Sequence, residues 1–439
     1  MCGGIRIKQY ENPHIGKIIK ELREHRGMSQ EALAQEAFFS RSTLSQIELG
    51  NQECPEDTLS AIKMALNIEH LPLRDAERPE FRDMLHKWCS VISERNVEES
   101  KVLRKKLAII KLLPHDRELN RLFSLFDCKY HLLLNDLIAS KKVMEELKDD
   151  LDELSDIQLY HYYYNLGMHN VISKQYQAAL KFYLKAYELM NHGFEKNLTL
   201  YFYIAYCYHE LGYVARATAF LEEVCKYFDK SLGNIPELSV YCLLGTCYIR
   251  TGLLQRSKIW LDKAFTIATN EYKANENSYT KEHLGIILLN YGLLYRMAKK
   301  WNIAIEYFDK AFTYLDEDND NYLETLYQKT RTTIEKGNSL FCNNLLAKGI
   351  KLSKGNEIYA IMFEALKLII TPSEESAKLF ETKIIPFLLE NDHDSLLLDY
   401  CSFLRDYYKS KGKGFKTRAL DMSDIICNVY LKMHEGGIN

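Results

Sequence analysis

Residues 159–186, LYHYYYNLGMHNVISKQYQAALKFYLKA, decide the fold, because their order of small and large side chains returns three more times downstream. Gly167 has counterparts at Ala205, Gly245 and Gly292, at steps of 38, 40 and 47 residues. Three positions after the small residue, the later copies carry Tyr208, Tyr248 and Tyr295, where the first has Asn170. Twelve positions after it comes a second small residue (Ala179, Ala217, Ser257, Ala304), then a large one (Tyr183, Leu221, Leu261, Phe308). Ala186, Val224, Ala264 and Ala311 close the copies. A repeat of this length, apolar at helical spacing, describes helix pairs that bury their apolar faces only by stacking on neighbours. Small residues bring two backbones close, and large ones fill the gap to the next pair. Weaker copies around Gly337 and from Tyr400 to Ile426 extend the array almost to the end, and no sustained alternation between turn residues marks a strand. The expected class is all-α.

This pattern resembles the tetratricopeptide repeat, which implies a right-handed superhelix with a concave groove lined by the first helix of each pair. Asn165 and Asn290 stand two residues before the small residue of their copies, a groove-facing position. In peptide-binding members of that family an asparagine is common there, its amide able to donate to and accept from a peptide unit. His209, Glu210, Arg250 and Arg296 follow four or five residues after the small position, and an arginine there suits a ligand carboxylate. These six are the candidate peptide contacts, against the alternative that they are hydrated groove residues. Tyr162, Tyr163, Tyr201 and Tyr203, among 30 tyrosines, line a pocket or fill the core.

Upstream, residues 29–50, SQEALAQEAFFSRSTLSQIELG, hold two short helical patterns with a few residues between them. Ser29 and Ser40 are placed to cap the two helices, and Leu44 and Ile47 form a buried i, i+3 stripe in the second. Its outer face is then Arg41, Ser42, Thr43, Ser45 and Gln46, side chains of the kind that read base edges in a major groove. An amphipathic helix from Ile15 stops at Gly27, and Pro55 opens another with Leu59, Ile62 and Leu66 inward. Together residues 15–68 resemble the DNA-binding domain of the phage lambda repressor and of xenobiotic-response-element-type regulators. The resemblance implies that Gln30 binds a backbone phosphate, that Arg41, Ser42 and Gln46 face bases, and that Arg23 pairs with Glu48 as a structural ion pair. With Ser40, Thr43 and Ser45 these complete the candidate DNA contacts. One departure stands out: the turn usually has glycine where this chain has Phe38, so either the turn is drawn differently or Phe38 avoids a positive φ.

Net charge is −3, and residues 1–70 carry eight Lys and Arg against ten Asp and Glu. Such a head is no nonspecific nucleic-acid coat, whose affinity rests on counterion release. The eleven cysteines show neither a C-x-x-C pair nor metal-ligand spacing, which reads as reduced thiols in the cytoplasm and no metal or cofactor. Residues 1–10 lack the apolar core of a signal peptide, and no apolar run approaches a membrane span. The expected order is a DNA-binding domain at 1–68, a connector at 69–80, a helical segment of degenerate repeats at 81–158, and a peptide-binding and dimerisation array at 159–432. The helical segment carries apolar stripes (Phe81, Leu85, Trp88, Ile92; Leu119, Leu122, Phe123, Phe126) and no evident chemistry.

A repressor-type head followed by tetratricopeptide repeats resembles the peptide-pheromone receptors of Gram-positive bacteria, the Rgg, NprR, PlcR and PrgX group with the headless Rap proteins (RRNPP). What this implies is a cytoplasmic, homodimeric or higher-order quorum-sensing regulator of transcription, without catalytic residues, whose partners are a double-stranded operator and a short signalling peptide. Two alternatives stay open: a phage or plasmid repressor whose array binds a protein, and a Rap-like binder or phosphatase of a response regulator. The second depends by resemblance on a glutamine before the repeats, and residues 71–150 contain none.

Overall fold

The computed structural model describes residues 15–68, 78–108, 117–191, 196–228, 237–337, 339–391 and 393–435, and every regular element among them is helical. The chain divides into two compact units, residues 1–172 and 173–439.

The first unit begins with α1 (Ile15–His25), α2 (Gln30–Glu36), α3 (Arg41–Glu48) and α4 (Glu56–Ala65). Ile19, Leu22, Leu33, Ala34, Leu44, Ile47, Leu59 and Ile62 are buried together between them. Gly16 is where α1 meets α3: a Cβ there would lie 1.6 Å from the Ile47 carbonyl oxygen, so no other residue permits this approach. Five helices follow, α5 (Arg78–Ser93), α6 (Val97–Leu107), α7 (Arg117–Leu133), α8 (Leu137–Lys148) and α9 (Asp156–Ile172). The expected connector lies largely outside the described residues, and α5 starts within its last part, with Pro79 in the first turn where its missing N–H breaks no bond. The apolar stripes of α5 and α7 form one core around Trp88, Phe123 and Phe126, and the Trp88 indole donates to Ser100 Oγ at 3.0 Å.

The second unit opens with α10 (Tyr176–Asn191) and then stacks hairpins. These are α11 (Leu198–Glu210) with α12 (Val214–Cys225), α13 (Glu237–Arg250) with α14 (Leu254–Ala274), and α15 (Ser278–Met297) with α16 (Trp301–Phe312). The repeat operates as its sequence prescribes. A Cβ on Gly245 would meet Leu261 Cδ2 at 2.5 Å, and one on Gly292 would meet Phe308 Cε1 at 2.3 Å. Small and large positions of each copy are thus the two sides of one contact, and Ala217, Leu221, Ala264, Ala304 and Phe308 are fully buried.

Two hairpins of the weaker part follow, α17 (Asp320–Glu335) with α18 (Ser339–Leu352), and α19 (Glu357–Ile370) with α20 (Glu374–Leu379), which runs through a wider turn into α21 (Ile385–Glu390). The last pair is α22 (Asp394–Lys411) and α23 (Lys416–Glu435). The copy expected around Gly337 is centred elsewhere. Gly337 ends α17 at φ 84°, and the small position is Thr330, with Cys342, Leu346 and Gly349 in register behind it. Thr330 is fully buried because its hydroxyl donates to the Leu326 carbonyl at 2.7 Å, so it packs as a small residue despite its polarity.

Candidate functional site

The reading head presents α3 on a frame fixed by capping and by one buried ion pair. Ser29 Oγ accepts from Ala32 N and Ser40 Oγ from Thr43 N, each at 3.0 Å, so the two serines set where α2 and α3 begin. Arg23 of α1 donates through Nε to Glu48 Oε1 at 2.7 Å and through Nη2 to Oε2 at 3.0 Å, and its Nη1 reaches the Met28 carbonyl at 2.8 Å. The Glu48 hydrogen bond outweighs burial and raises the Arg23 pKa. The ion pair implied by resemblance is present, and it fastens the reading helix to α1.

Arg41, Ser42 and Gln46 are exposed on α3, and Thr43 and Ser45 are half-buried. Ser40 is exposed as well, but its oxygen is engaged by the cap and by the Thr43 hydroxyl at 2.8 Å. Gln30 is half-buried, and its Nε2 donates to Glu48 Oε2 at 2.7 Å, so the amide expected at a phosphate also joins the ion-pair network. Phe38 takes the geometry that neither sequence alternative allowed it. It sits at φ 61° with 95% of its surface exposed, accepting backbone strain and giving up burial to keep the turn.

Within the second unit, the first helices of successive hairpins contribute a continuous polar wall. His209 Nδ1 and Glu210 Oε1 are 3.1 Å apart at the end of α11, and Arg250 of α13 donates to the His209 carbonyl at 2.8 Å. Arg296 of α15 donates to Gln328 Oε1 of α17 at 3.0 Å and approaches Glu335. Gln328 donates to Glu324 Oε1 at 2.7 Å, and Tyr359 of α19 reaches Glu324 Oε2 at 3.3 Å. Arg331 donates to Asp399 of α22 at 2.6 Å. From the turn before α10, Lys174 pairs with Asp320 at the start of α17, 146 positions further along the chain.

These groups keep some contact with solvent, 28% of the Glu210 side chain and 24% of Arg331, and at both the surrounding charges and hydrogen bonds together outweigh burial, which is the largest single influence. Burial raises the Glu324 carboxyl above its ordinary range, opposed by Gln328, Tyr359, Arg250 and Arg296. At Glu210 burial works upward too, but His209, Arg250 and Lys174 together hold the carboxyl below its ordinary range. Burial pushes the His209 imidazole down, with Arg250 acting the same way, and its Nε2 is buried without a hydrogen-bond partner.

Of the six expected peptide contacts, the wall unites His209, Glu210, Arg250 and Arg296. Asn290 belongs to the same unit but is 5% exposed. Asn165 is in the first unit, 1% exposed, with Nδ2 on the Leu125 carbonyl of α7 at 2.7 Å and Oδ1 left without a partner. The groove-facing assignment of Asn165 is therefore corrected, because its donor is committed to the neighbouring helix. Glu324, Gln328, Arg331 and Tyr359 were missed. Gln328 stands two residues before Thr330, the position held by Asn165 and Asn290 in their copies, so recognising Thr330 as the small residue would have found it.

Among the described residues no helix is long and apolar enough to cross a membrane, and no group of His, Cys, Asp and Glu is arranged to hold a metal. Residues 16–70 match the helix-turn-helix domain family, and residues 238–271 match the tetratricopeptide repeat. The chain is thus a helix-turn-helix protein with a tetratricopeptide array. Within that class its fold is similar to those of NprR and Rap proteins. It is 22% identical over 395 residues to the transcriptional activator NprA of Geobacillus stearothermophilus, covering 86% of this chain and 94% of that one. Its fold matches NprR in complex with its cognate peptide NprX at TM-score 0.63 and 17% identity, over 80% of this chain and 99% of that one. It matches a Rap protein complexed with competence and sporulation factor at TM-score 0.66 and 15% identity, over 81% and 99%.

Proposed function

We propose that this protein is a sequence-specific DNA-binding regulator of transcription, switched by a short signalling peptide bound on the polar wall of the second unit. Residues 1–68 serve as the DNA-binding domain, residues 159–432 as the peptide-binding and dimerisation array, and the protein acts in the cytoplasm as a homodimer without catalysing a reaction. One observation carries this reading: α3 holds Arg41, Ser42 and Gln46 exposed at its surface, Arg41 at 4.0 Å from Glu31, while its buried face is locked to α1 by Arg23, Glu48 and Gly16. A helix so fixed can carry side chains into a major groove without ordering itself on binding. NprA is named a transcriptional activator and NprR has been solved with a cognate peptide, which supports extending both roles to this chain.

For the switch, the peptide must bind one arrangement of the array better than another, so that half-site spacing changes between two heads. The test is selection of duplexes from a random pool by the full-length protein, with and without peptides recovered from the host. A single selected motif whose occupancy the peptide changes supports the proposal. A pool that stays random, or a motif indifferent to every copurifying peptide, overturns its first or second half respectively.

A further inference from the structure

The five-helix segment α5–α9 encloses a cation that, among the described residues, no carboxylate pairs with. Lys129 of α7 is 9% exposed, and among the described residues no Asp or Glu lies within ion-pair distance of its ammonium. Its Nζ donates to Ser93 Oγ at 2.7 Å and to Cys89 Sγ at 3.6 Å, both on α5, and stands 5.4 Å from the centre of the Tyr164 ring on α9. The charge is felt nearby: the His161 imidazole is pushed down to about 3 by burial first, then by Lys129 and His86. A buried ammonium is unfavourable unless an anion meets it. The ammonium is in contact with the Cys89 sulfur, and Cys89 is half-buried. Burial pushes the Cys128 thiol, beside Lys129 in sequence, up to about 12, and Cys401 likewise to about 12. Such thiols behave as inert apolar groups.

We infer that Cys89 and Lys129 form a peroxide-reactive pair that closes a sulfur–nitrogen bond between α5 and α7. The Cys89 thiolate attacks one oxygen of hydrogen peroxide and the O–O bond breaks. Sulfur is oxidised by two electrons to the sulfenic acid, and the departing hydroxide takes a proton from the Lys129 ammonium to leave as water. The Lys129 amine, now neutral, then attacks the sulfenyl sulfur. An S–N bond forms, the S–O bond breaks, and the hydroxyl leaves with an amine proton as a second water. One peroxide is consumed and two waters are released, the condensation of a sulfenic acid with a nitrogen nucleophile being established chemistry.

Hydrogen peroxide added to the full-length protein, followed by proteolysis and mass spectrometry, tests this. The expected product is a pair of peptides, one containing Cys89 and one Lys129, joined and lighter by two hydrogen atoms, and released by a thiol reductant. K129M removes the buried charge and is expected to fold; its Cys89 should oxidise at least about tenfold more slowly and form no link. K129R keeps a cation but no primary amine, so its Cys89 should give a sulfenic acid trapped by a cyclic dione, again unlinked. Oxidation of Cys89 in K129M at the wild-type rate overturns the role of the lysine. Wild-type Cys89 passing to sulfinic acid with no linked peptide overturns the bond itself.

Discussion

Replacing Arg23 by methionine tests whether the head is held by its buried ion pair or by apolar packing alone. The guanidinium makes two short bonds to Glu48 and one to the Met28 carbonyl, and the Glu48 side chain is only 2% exposed. Without it, the carboxylate keeps the Gln30 amide as its one remaining side-chain partner. Removing one member of a buried pair costs about 3–5 kcal/mol, most of it the penalty of the charge left behind. The three tryptophans, Trp88, Trp260 and Trp301, lie outside residues 15–68, so fluorescence would report other parts of the chain. Hydrogen exchange resolved by peptide reads the head directly. Amides of α1 and α3 should exchange at least about a hundredfold faster in R23M, since each 1.36 kcal/mol is one decade. The double variant R23M/E48L decides the cause: with both charges gone, exchange should return to within about tenfold of the wild type. An R23M head that exchanges less than about tenfold faster, or a double variant as labile as the single, refutes the reasoning.

Three further perturbations bear on separate parts of the fold. In G292V, a branched side chain enters the space of Phe308, whose Cε1 would lie 2.3 Å from even a Cβ, so denaturant unfolding should show a loss of about 1–3 kcal/mol that F308A partly restores. F38G relieves a non-glycine residue at φ 61° and removes no buried contact, so the head should gain about 1 kcal/mol, read by the same hydrogen exchange. For His161 the folded pKa of about 3 lies below the unfolded 6.5, so the unfolded chain binds the extra proton as pH falls through that window. Stability is lost there at no more than about 1.4 kcal/mol per pH unit; H161F should lack this loss, so the wild-type minus variant stability should fall as pH drops from 6.5 to 3.

The array was legible because its contacts are made by the residues that repeat: Gly292 and Phe308 stand in sequence where they stand in space. The fifth copy was hidden by chemistry rather than by distance, since Thr330 looks polar until its hydroxyl is spent on the Leu326 carbonyl. In the head, the spacing of Ser29, Ser40, Leu44 and Ile47 fixed the helices, but no local pattern shows that the Glu48 Oε2 accepting from Arg23 also accepts from the Gln30 amide. Asn165 shows the same limit. Its position in the repeat says which helix face it occupies and cannot say that the Leu125 carbonyl waits 2.7 Å away. Pairings such as Lys174 with Asp320 or Arg331 with Asp399 join residues far apart in the chain, and no local pattern announces them.

Glu324 separates a structural from a ligand-binding account of the polar wall. Its folded pKa is raised, by desolvation above all, so its charged form is less favourable in the folded protein than in the unfolded one. The sign follows: a raised carboxyl pKa adds stability only while the group is protonated, and that contribution is lost as pH rises through the unfolded value of 4.5 toward the folded one. At neutral pH the charge therefore opposes folding. Glutamine in its place keeps an acceptor for Gln328 or Tyr359 and carries no charge, so E324Q should melt at a higher temperature than the wild type at pH 7. That advantage should vanish below pH 4.5, where both chains are neutral at this position. If the wall binds a signalling peptide, the same variant should bind that peptide more weakly, because the retained charge is then serving the ligand. Higher stability with weaker peptide binding supports the proposed site, since a residue that serves only the fold does not move the two in opposite directions. E324Q that melts lower at pH 7 would instead make Glu324 a structural partner of Arg250 and Arg296, and the wall would lose its claim to be a ligand surface at that point.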